Sequence, residues 1–282
     1  MKLPFEIDLK DKVVVITGAG GVICSHLAKA IAMNGAKVCL LDLSKENADK
    51  YAAEIVKEGY IAKGYEANVL KKDSLIVCHE QILKDFGSCD ILINGAGGNN
   101  SKATTDNEYA EMDDDLKDMK TFFDLDQAGV EFVFNLNFIG TLLPSQVFAK
   151  DMVGKKGCSI LNISSMNAYT PLTKIPAYSG AKSAVSNFTK WLAVHFSHIG
   201  IRVNAIAPGF FSTAQNAKLL WNEDGTPTPR THKIISATPM GRFGEIDELV
   251  GATLFLLSEE AASFITGICI PIDGGFSSYS GV

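Results

Sequence analysis

Short β-branched runs alternate with longer amphipathic segments along most of the chain. The run 12–17 (Lys-Val-Val-Val-Ile-Thr) precedes a helical pattern over 22–34, 37–41 precedes one over 45–58, 61–67 precedes one over 72–86, and 90–93 is a fourth strand. Strands that are apolar throughout, without the alternation of a sheet wetted on one face, predict parallel pairing with helices on both sides. Further on, the pattern predicts helices over about 127–152, 176–198 and 245–257, and strands over 158–163, 201–206 and 267–271. Ala181, Val185, Phe188, Leu192, His195 and Ile199 fall on one face of the 176–198 helix, which should therefore be packed. The expected fold is α/β, a single-domain Rossmann-type doubly wound parallel sheet of about seven strands, spanning 1–282. Two stretches, near 98–126 and 210–240, are too long for ordinary connections and are expected to be substrate-loop insertions.

Composition narrows the function. With 282 residues, 46% of them apolar, the chain can bury one substantial core. A net charge of −6 and a pI near 5.4 argue against a nucleic-acid surface or an anionic membrane patch and favour small-molecule chemistry. The six cysteines form no C-x-x-C pair and lie mostly in apolar runs, as buried thiols in a reducing compartment would. The N-terminus lacks the apolar run of a signal peptide. The longest uncharged stretch, 132–149, contains Asn135, Asn137, Pro144 and Gln146, which a membrane span would have to desolvate. A cytoplasmic protein is expected. The five histidines show no metal-binding spacing, so no metal is expected. The acidic run 106–118 reads as a solvated insertion face.

The first strand leads into Thr17-Gly18-Ala19-Gly20-Gly21-Val22-Ile23-Cys24, a glycine-rich turn opening a helix. Backbone N–H groups and the helix dipole there can hold a pyrophosphate. Asp42 ends the second strand, where a carboxylate can accept both ribose hydroxyls and repel a 2′-phosphate, so NAD is favoured over NADP. Tyr178 and Lys182 are four residues apart and share a helix face, which lets an ammonium favour the phenolate. Ser165 lies thirteen residues before Tyr178, in Asn162-Ile-Ser-Ser165.

With these motifs the chain resembles the short-chain dehydrogenase/reductase family over essentially its whole length. Asn94-Gly95-Ala96-Gly97 looks like the family's Asn-Asn-Ala-Gly, Asn137 matches its catalytic Asn, and 208–213 matches its Pro-Gly-x-x-x-Thr; the spacing to Tyr178 selects Ser165 over Ser164. Two departures stand out. The family's turn reads Thr-Gly-x-x-x-Gly-x-Gly, and here Val22 and Cys24 replace its last two glycines; Gly95 replaces the second Asn of the other motif.

The resemblance implies reversible hydride transfer between a secondary alcohol and NAD. Tyr178 would be the acid/base, its pKa brought toward neutrality by Lys182 together with the nicotinium charge. Ser165 would hydrogen-bond the substrate oxygen, and Asn137 would anchor a proton-relay water. Implied cofactor residues are Gly18, Gly20, Gly21, Val22, Ile23, Asp42, Asn68, Val69, Asn94, Ala96, Gly97, Tyr178, Lys182, Pro208, Gly209, Phe211 and Thr213. The two long loops resemble those of members acting on sugar acids, with mannonate as the implied hexonate and gluconate as the runner-up. Asn99, Asn100, Lys102 and Arg230, together with Ser165, are the expected substrate residues. A catalytically silent NAD-binding protein is the remote alternative. The family also implies a homotetramer.

Overall fold

The computed structural model describes residues 7–112, 119–213 and 217–281. Seven parallel strands form one sheet in the order β3-β2-β1-β4-β5-β6-β7. They are β1 (Val13–Thr17), β2 (Lys37–Asp42), β3 (Ile61–Glu66), β4 (Ile91–Asn94), β5 (Ser159–Ile163), β6 (Arg202–Pro208) and β7 (Cys269–Ile272). β1, β4, β5 and β6 are buried along their whole length, which is why they read as continuous apolar runs. The order reverses between β1 and β4, and such a switch point leaves a crevice beyond the carboxyl ends of the strands.

Helices cover both faces. Leu27, Ala28 and Ile31 of α1 (Val22–Met33), Ala48, Ala52 and Ile55 of α2 (Lys45–Lys57), and Leu249 and Leu256 of α9 (Glu248–Leu257) pack on one face with Val14, Ile16 and Leu40. The other face carries Leu75, Cys78 and Ile82 of α3 (Lys72–Asp85), Phe148 of α5 (Gly140–Phe148) and Leu192 of α6 (Pro176–His195), against Val15, Leu92 and Ile160. Burying each leucine, isoleucine, valine or phenylalanine among them is worth about 1.5–3 kcal/mol. All six cysteines are free thiols, five of them buried.

The long helix expected over 127–152 has internal structure. It runs as α4 (Gln127–Phe134), a π-helical turn over Asn135–Ile139, α5, and a closing 3₁₀ turn over Ala149–Met152. By length and apolarity the whole of Gln127–Met152 could cross a membrane, but half of its most apolar window is buried inside the protein. The predicted 176–198 helix ends at His195 and continues as a separate 3₁₀ turn.

The 210–240 insertion is more ordered than its sequence implies. It holds α7 (Ala217–Leu220) and α8 (Pro229–Ser236), and Leu220, Ile234 and Phe243 make a small core with Phe210 beneath them. α9 begins at Glu248, three residues later than expected, with Arg242 making a bidentate bridge to Glu248 at 2.7 and 2.8 Å just before it. α10 (Glu259–Ala262) precedes β7, which starts two residues late; before it, the Gly267 N–H donates to the Val203 carbonyl at 2.7 Å and the Ile268 N–H to the Asn204 side chain at 3.2 Å. Arg202 is buried and donates to the Leu256 carbonyl at 2.8 Å, closing the end of α9.

In the 98–126 insertion, Asp106 and Lys120 exchange hydrogen bonds of 2.8 Å and close the base of the acidic loop. Of the seven acids in that run, Asp113, Asp114, Asp115 and Asp118 lie outside the described residues.

Candidate active site

Three elements meet at the carboxyl edge of the sheet. β5 runs into Ser164 and Ser165. α6 opens with Pro176, whose fixed φ suits a first helical turn, and presents Tyr178 and Lys182 one turn apart. Asn137 occupies the π turn between α4 and α5. The Ser165 hydroxyl accepts the Asn167 N–H at 3.3 Å and stands close enough to the Tyr178 phenol to lower its pKa. Ser164 does other work: its hydroxyl pairs with that of Ser186 at 2.7 Å and donates to the Lys182 carbonyl at 3.2 Å, tying β5 to α6.

Lys182 is 4% exposed, and its Nζ donates to the Ile163 carbonyl at 2.8 Å. Burial lowers its pKa from 10.5 to about 8. The Tyr178 phenol is pushed above its ordinary value by burial, with the Ser165 hydroxyl pulling it back. In the protein alone, then, Lys182 does not by itself bring the phenol toward neutrality. The ammonium lies 5.7 Å from the phenol ring centre and is engaged by a carbonyl, so desolvation outweighs it.

Asn137 is fully buried. Its Nδ2 donates to the carbonyls of Gly98 and Val133, both at 2.8 Å, and its Oδ1 accepts the Gly98 N–H at 3.2 Å. Both amide hydrogens are therefore spent on backbone, and the side chain's evident work is to hold the loop after β4. A Cβ on Gly97 would come within 2.6 Å of Asn137 Oδ1 and 3.0 Å of Lys182 Nζ, which accounts for the glycine there.

A cleft of about 540 Å³ opens beyond the carboxyl ends of β1 to β4. Gly18, Gly21, Val22, Ile23, Asp42, Asn68, Val69, Ala96 and Gly97 line it as expected. Gly18 has φ +67° and sits so near the loop after β4 that a Cβ would lie 2.8 Å from Ala96 Cα. The N-cap of α1, Gly21, has no side chain to satisfy the first amides of the helix, and no acid stands in the first turn, so the amides face the cleft uncompensated. Asp42 accepts from the N–H groups of Gly20 at 3.0 Å and Ser44 at 2.9 Å, which aims its carboxylate over the turn. Asn68 Oδ1 accepts the Leu70 N–H at 2.9 Å, which leaves it one lone pair for a ligand.

Other expected residues fall elsewhere. Asn94 is 1% exposed and outside the lining; its amide donates to Ser145 at 3.0 Å and Asn162 at 2.9 Å, bracing β4 beneath the cleft. Pro208, Gly209, Phe211 and Thr213 stand at and beyond the end of β6, outside this cleft, where Phe211 bridges to Gly244. Asn99 donates to Thr104 at 3.0 Å and Asn100 accepts the Lys102 N–H at 2.9 Å, so one end of each amide is used within their own turn. That turn packs beside Tyr178, which with Asn137, Ser165 and Lys182 makes the expected catalytic tetrad: Ala103 is buried with Val133, Ala177 and Ala181. Arg230 is exposed on α8, and among the described residues no hydrogen bond or ion pair joins it to the tetrad. Sequence reasoning left out Thr17, whose hydroxyl accepts the N–H groups of Gly95 at 3.1 Å and Ala96 at 3.2 Å, and Cys24, Leu43, Phe132 and Leu136, which line the cleft. Thr17 and Cys24 stood within a motif already singled out; Phe132 and Leu136 are brought in only by the packing of α4.

Residues 12–224 match the short chain dehydrogenase family. The chain belongs to it. It is 60% identical over 282 residues to an uncharacterized oxidoreductase of Haemophilus influenzae, covering 100% of this chain and 99% of that one. It is 49% identical over 280 residues to an uncharacterized oxidoreductase, UxuB, of Bacillus subtilis, covering 99% and 100%. A crystal structure of a Haemophilus protein with the provisional name D-mannonate oxidoreductase, with bound NAD, superposes with a TM-score of 0.95 at 59% identity, over 100% of both chains. The protein is thus a nicotinamide-dependent short-chain oxidoreductase acting on CH–OH groups. The cleft fits that cofactor, since the first turn of α1 opens on it with no side-chain cap and no acid, which suits a phosphate, and the Asp42 carboxylate is held over the same turn.

Proposed function

We propose that this protein interconverts D-mannonate and D-fructuronate with NAD(H). The observation that supports the reading is that Ser165 and Lys182 stand by Tyr178, with Lys182 next to Gly97, a residue lining the cleft in which Asp42 also stands. Likeness along the full chain to an NAD-bound protein provisionally named for mannonate supports it.

In this reading the turn at Gly18, Gly20, Gly21, Val22 and Ile23 holds the pyrophosphate with backbone amides, and Asp42 takes the adenosine ribose hydroxyls. Asn68 and Val69 flank the adenine, Lys182 takes the other ribose, and Phe211 and Thr213 orient the carboxamide. When bound, the nicotinamide supplies or accepts the hydride. Tyr178 exchanges the proton at the substrate's hydroxyl oxygen, and the Ser165 hydroxyl donates to that oxygen as charge builds there. A hexonate is an anionic polyol, and its carboxylate needs a cation. Lys102, on the turn packed beside Tyr178, and Arg230, on α8, are the proposed partners, with Asn99 and Asn100 for hydroxyls. A homotetramer is proposed from the apolar surface left on α6, where Trp191 is 57% and Val194 76% exposed; light scattering on the purified protein tests it.

Initial rates with mannonate, fructuronate and gluconate, each with NAD(H) and NADP(H), test the function. Turnover of mannonate with NAD, and of fructuronate with NADH, is expected to exceed all other pairs. A preference for gluconate or for NADP overturns the assignment.

A further inference from the structure

We propose that Cys24 and Gly95 are a single packing unit that sets the width of the cofactor cleft, the thiol on α1 occupying the space that a side chain on the loop after β4 would fill. The inference rests on reading the cleft as the cofactor site. Each residue alone looks like a loss. Cys24 puts a side chain where the family pattern has glycine, and Gly95 removes one where the pattern has asparagine. Together they are complementary.

A Cβ built on Gly95 collides with Cys24 Sγ and lies 2.9 Å from the Thr17 carbonyl oxygen, while Cys24 itself is 4% exposed with its sulfur packed into that gap. That space lies between α1 and the loop after β4, both of which line the cleft. On one side stands the turn at Gly18, on the other Ala96 and Gly97, with Gly95 and Ala96 pinned to Thr17 by hydrogen bonds of 3.1 and 3.2 Å. Protein interiors are close-packed, so a side chain can be supplied from one wall or the other, but not from both and not from neither. Filling it from the α1 side leaves the loop after β4 free to approach Gly18, where contact is already at the limit set by the missing Cβ. Cys24 is therefore a positioning residue: it acts on the cofactor through the spacing of the walls. Burial pushes its thiol up to about 12, so it stays neutral and serves as a small apolar filler.

The test is a double-variant cycle read by calorimetric NAD affinity, by melting temperature without cofactor, and by the split between kcat and KM for NAD. Gly95→Asn is expected to weaken NAD binding at least tenfold and lower the melting temperature, with kcat at saturating NAD changed less than threefold, since the tetrad is untouched. Cys24→Gly opens a void, which should lower the melting temperature and weaken binding about threefold. The double variant, Cys24→Gly with Gly95→Asn, takes the thiol out of the new side chain's path, leaving only its Cβ against the Thr17 carbonyl, and should bind NAD at least threefold more tightly than Gly95→Asn alone. Effects that multiply instead would overturn the inference. If Gly95→Asn does not fold, comparison of Cys24→Gly with the double variant decides: a melting temperature and affinity near those of Cys24→Gly support the unit, and a further loss refutes it. Failure of the unaltered protein to bind NAD would overturn the reading of the cleft itself, which separates the two failures.

Discussion

The Asp42 carboxylate accepts the Gly20 N–H at 3.0 Å, and a Cβ on Gly20 would lie 2.7 Å from its carboxyl carbon. The end of β2 and the glycine turn are thereby fixed to each other, and the acid that would meet the adenosine ribose is held by the same backbone that would meet the pyrophosphate. Replacing Asp42 by Ser should do two things. The ratio of kcat/KM for NAD over NADP should fall at least tenfold, equivalent to about 1.4 kcal/mol, because a carboxylate no longer faces a 2′-phosphate. Loss of the charged hydrogen bond should cost about 1.5–3 kcal/mol of stability, read by urea unfolding. An unchanged cofactor ratio would remove Asp42 from the ribose site.

Tyr178→Phe removes one oxygen, the one that faces the Ser165 hydroxyl. The ring still packs beside Ala103, Ala177 and Ala181. NAD affinity is therefore expected to stay within about twofold while turnover falls by at least 10²-fold, the usual loss for a missing acid/base group. Measurable turnover near the original rate would mean that another group handles the proton.

The fold was legible wherever burial dictated the pattern. β1, β4, β5 and β6 lie between two helical layers, so their apolar runs could only be parallel core strands. Tyr178 and Lys182 were legible because helical spacing fixes their common face. Side-chain commitments were not. Nothing in the order of residues says that Asn94 turns inward to Ser145 and Asn162, or that Asn137 spends both amide hydrogens on the backbone of Gly98 and Val133. The short helix α8 escaped notice because its apolar face is only Ile234 and Ile235, packed against residues from both ends of the insertion. The complementarity of Cys24 and Gly95 depends on two segments far apart in sequence meeting at the switch between β1 and β4.

Lys182 gives a pH dependence of defined sign. Its pKa is about 8 in the folded protein against an ordinary 10.5, so between those values the unfolded chain binds more protons than the folded one. Stability from this group accordingly rises with pH through that window and is lost as pH falls through 8, by up to roughly 3 kcal/mol in all. Buried thiols such as Cys24 and Cys78, whose pKa values are raised from 9.0 to about 12, oppose it once their unfolded forms begin to ionise near pH 9. The informative interval is pH 7.5 to 9, with Lys182→Met as the reference without the titrating group. The melting temperature of the unaltered protein, relative to that variant, should climb across the interval. A constant difference would mean that the ammonium is well solvated.

Glu108 and Lys233 form an ion pair at 2.8 Å that joins the two insertions, one side chain from the loop after β4 and the other from α8. Lys233 holds the Glu108 carboxyl below its ordinary range. The lysine side chain is 69% exposed, so the pair contributes about 0–1 kcal/mol and is sensitive to salt. Such a pair does little for global stability, yet it is enough to bias two loops toward each other. If those loops enclose the sugar acid, Lys233→Met should leave the melting temperature within about 2 °C and raise KM for the substrate up to about fivefold, the equivalent of ~1 kcal/mol, with kcat retained. Salt supplies the control. As the ionic strength rises from about 0.05 to 0.5 M, screening should weaken the pair in the unaltered protein, and its KM should approach that of the variant. Equal KM values at low salt would show that substrate binding does not draw on the contact between the loops.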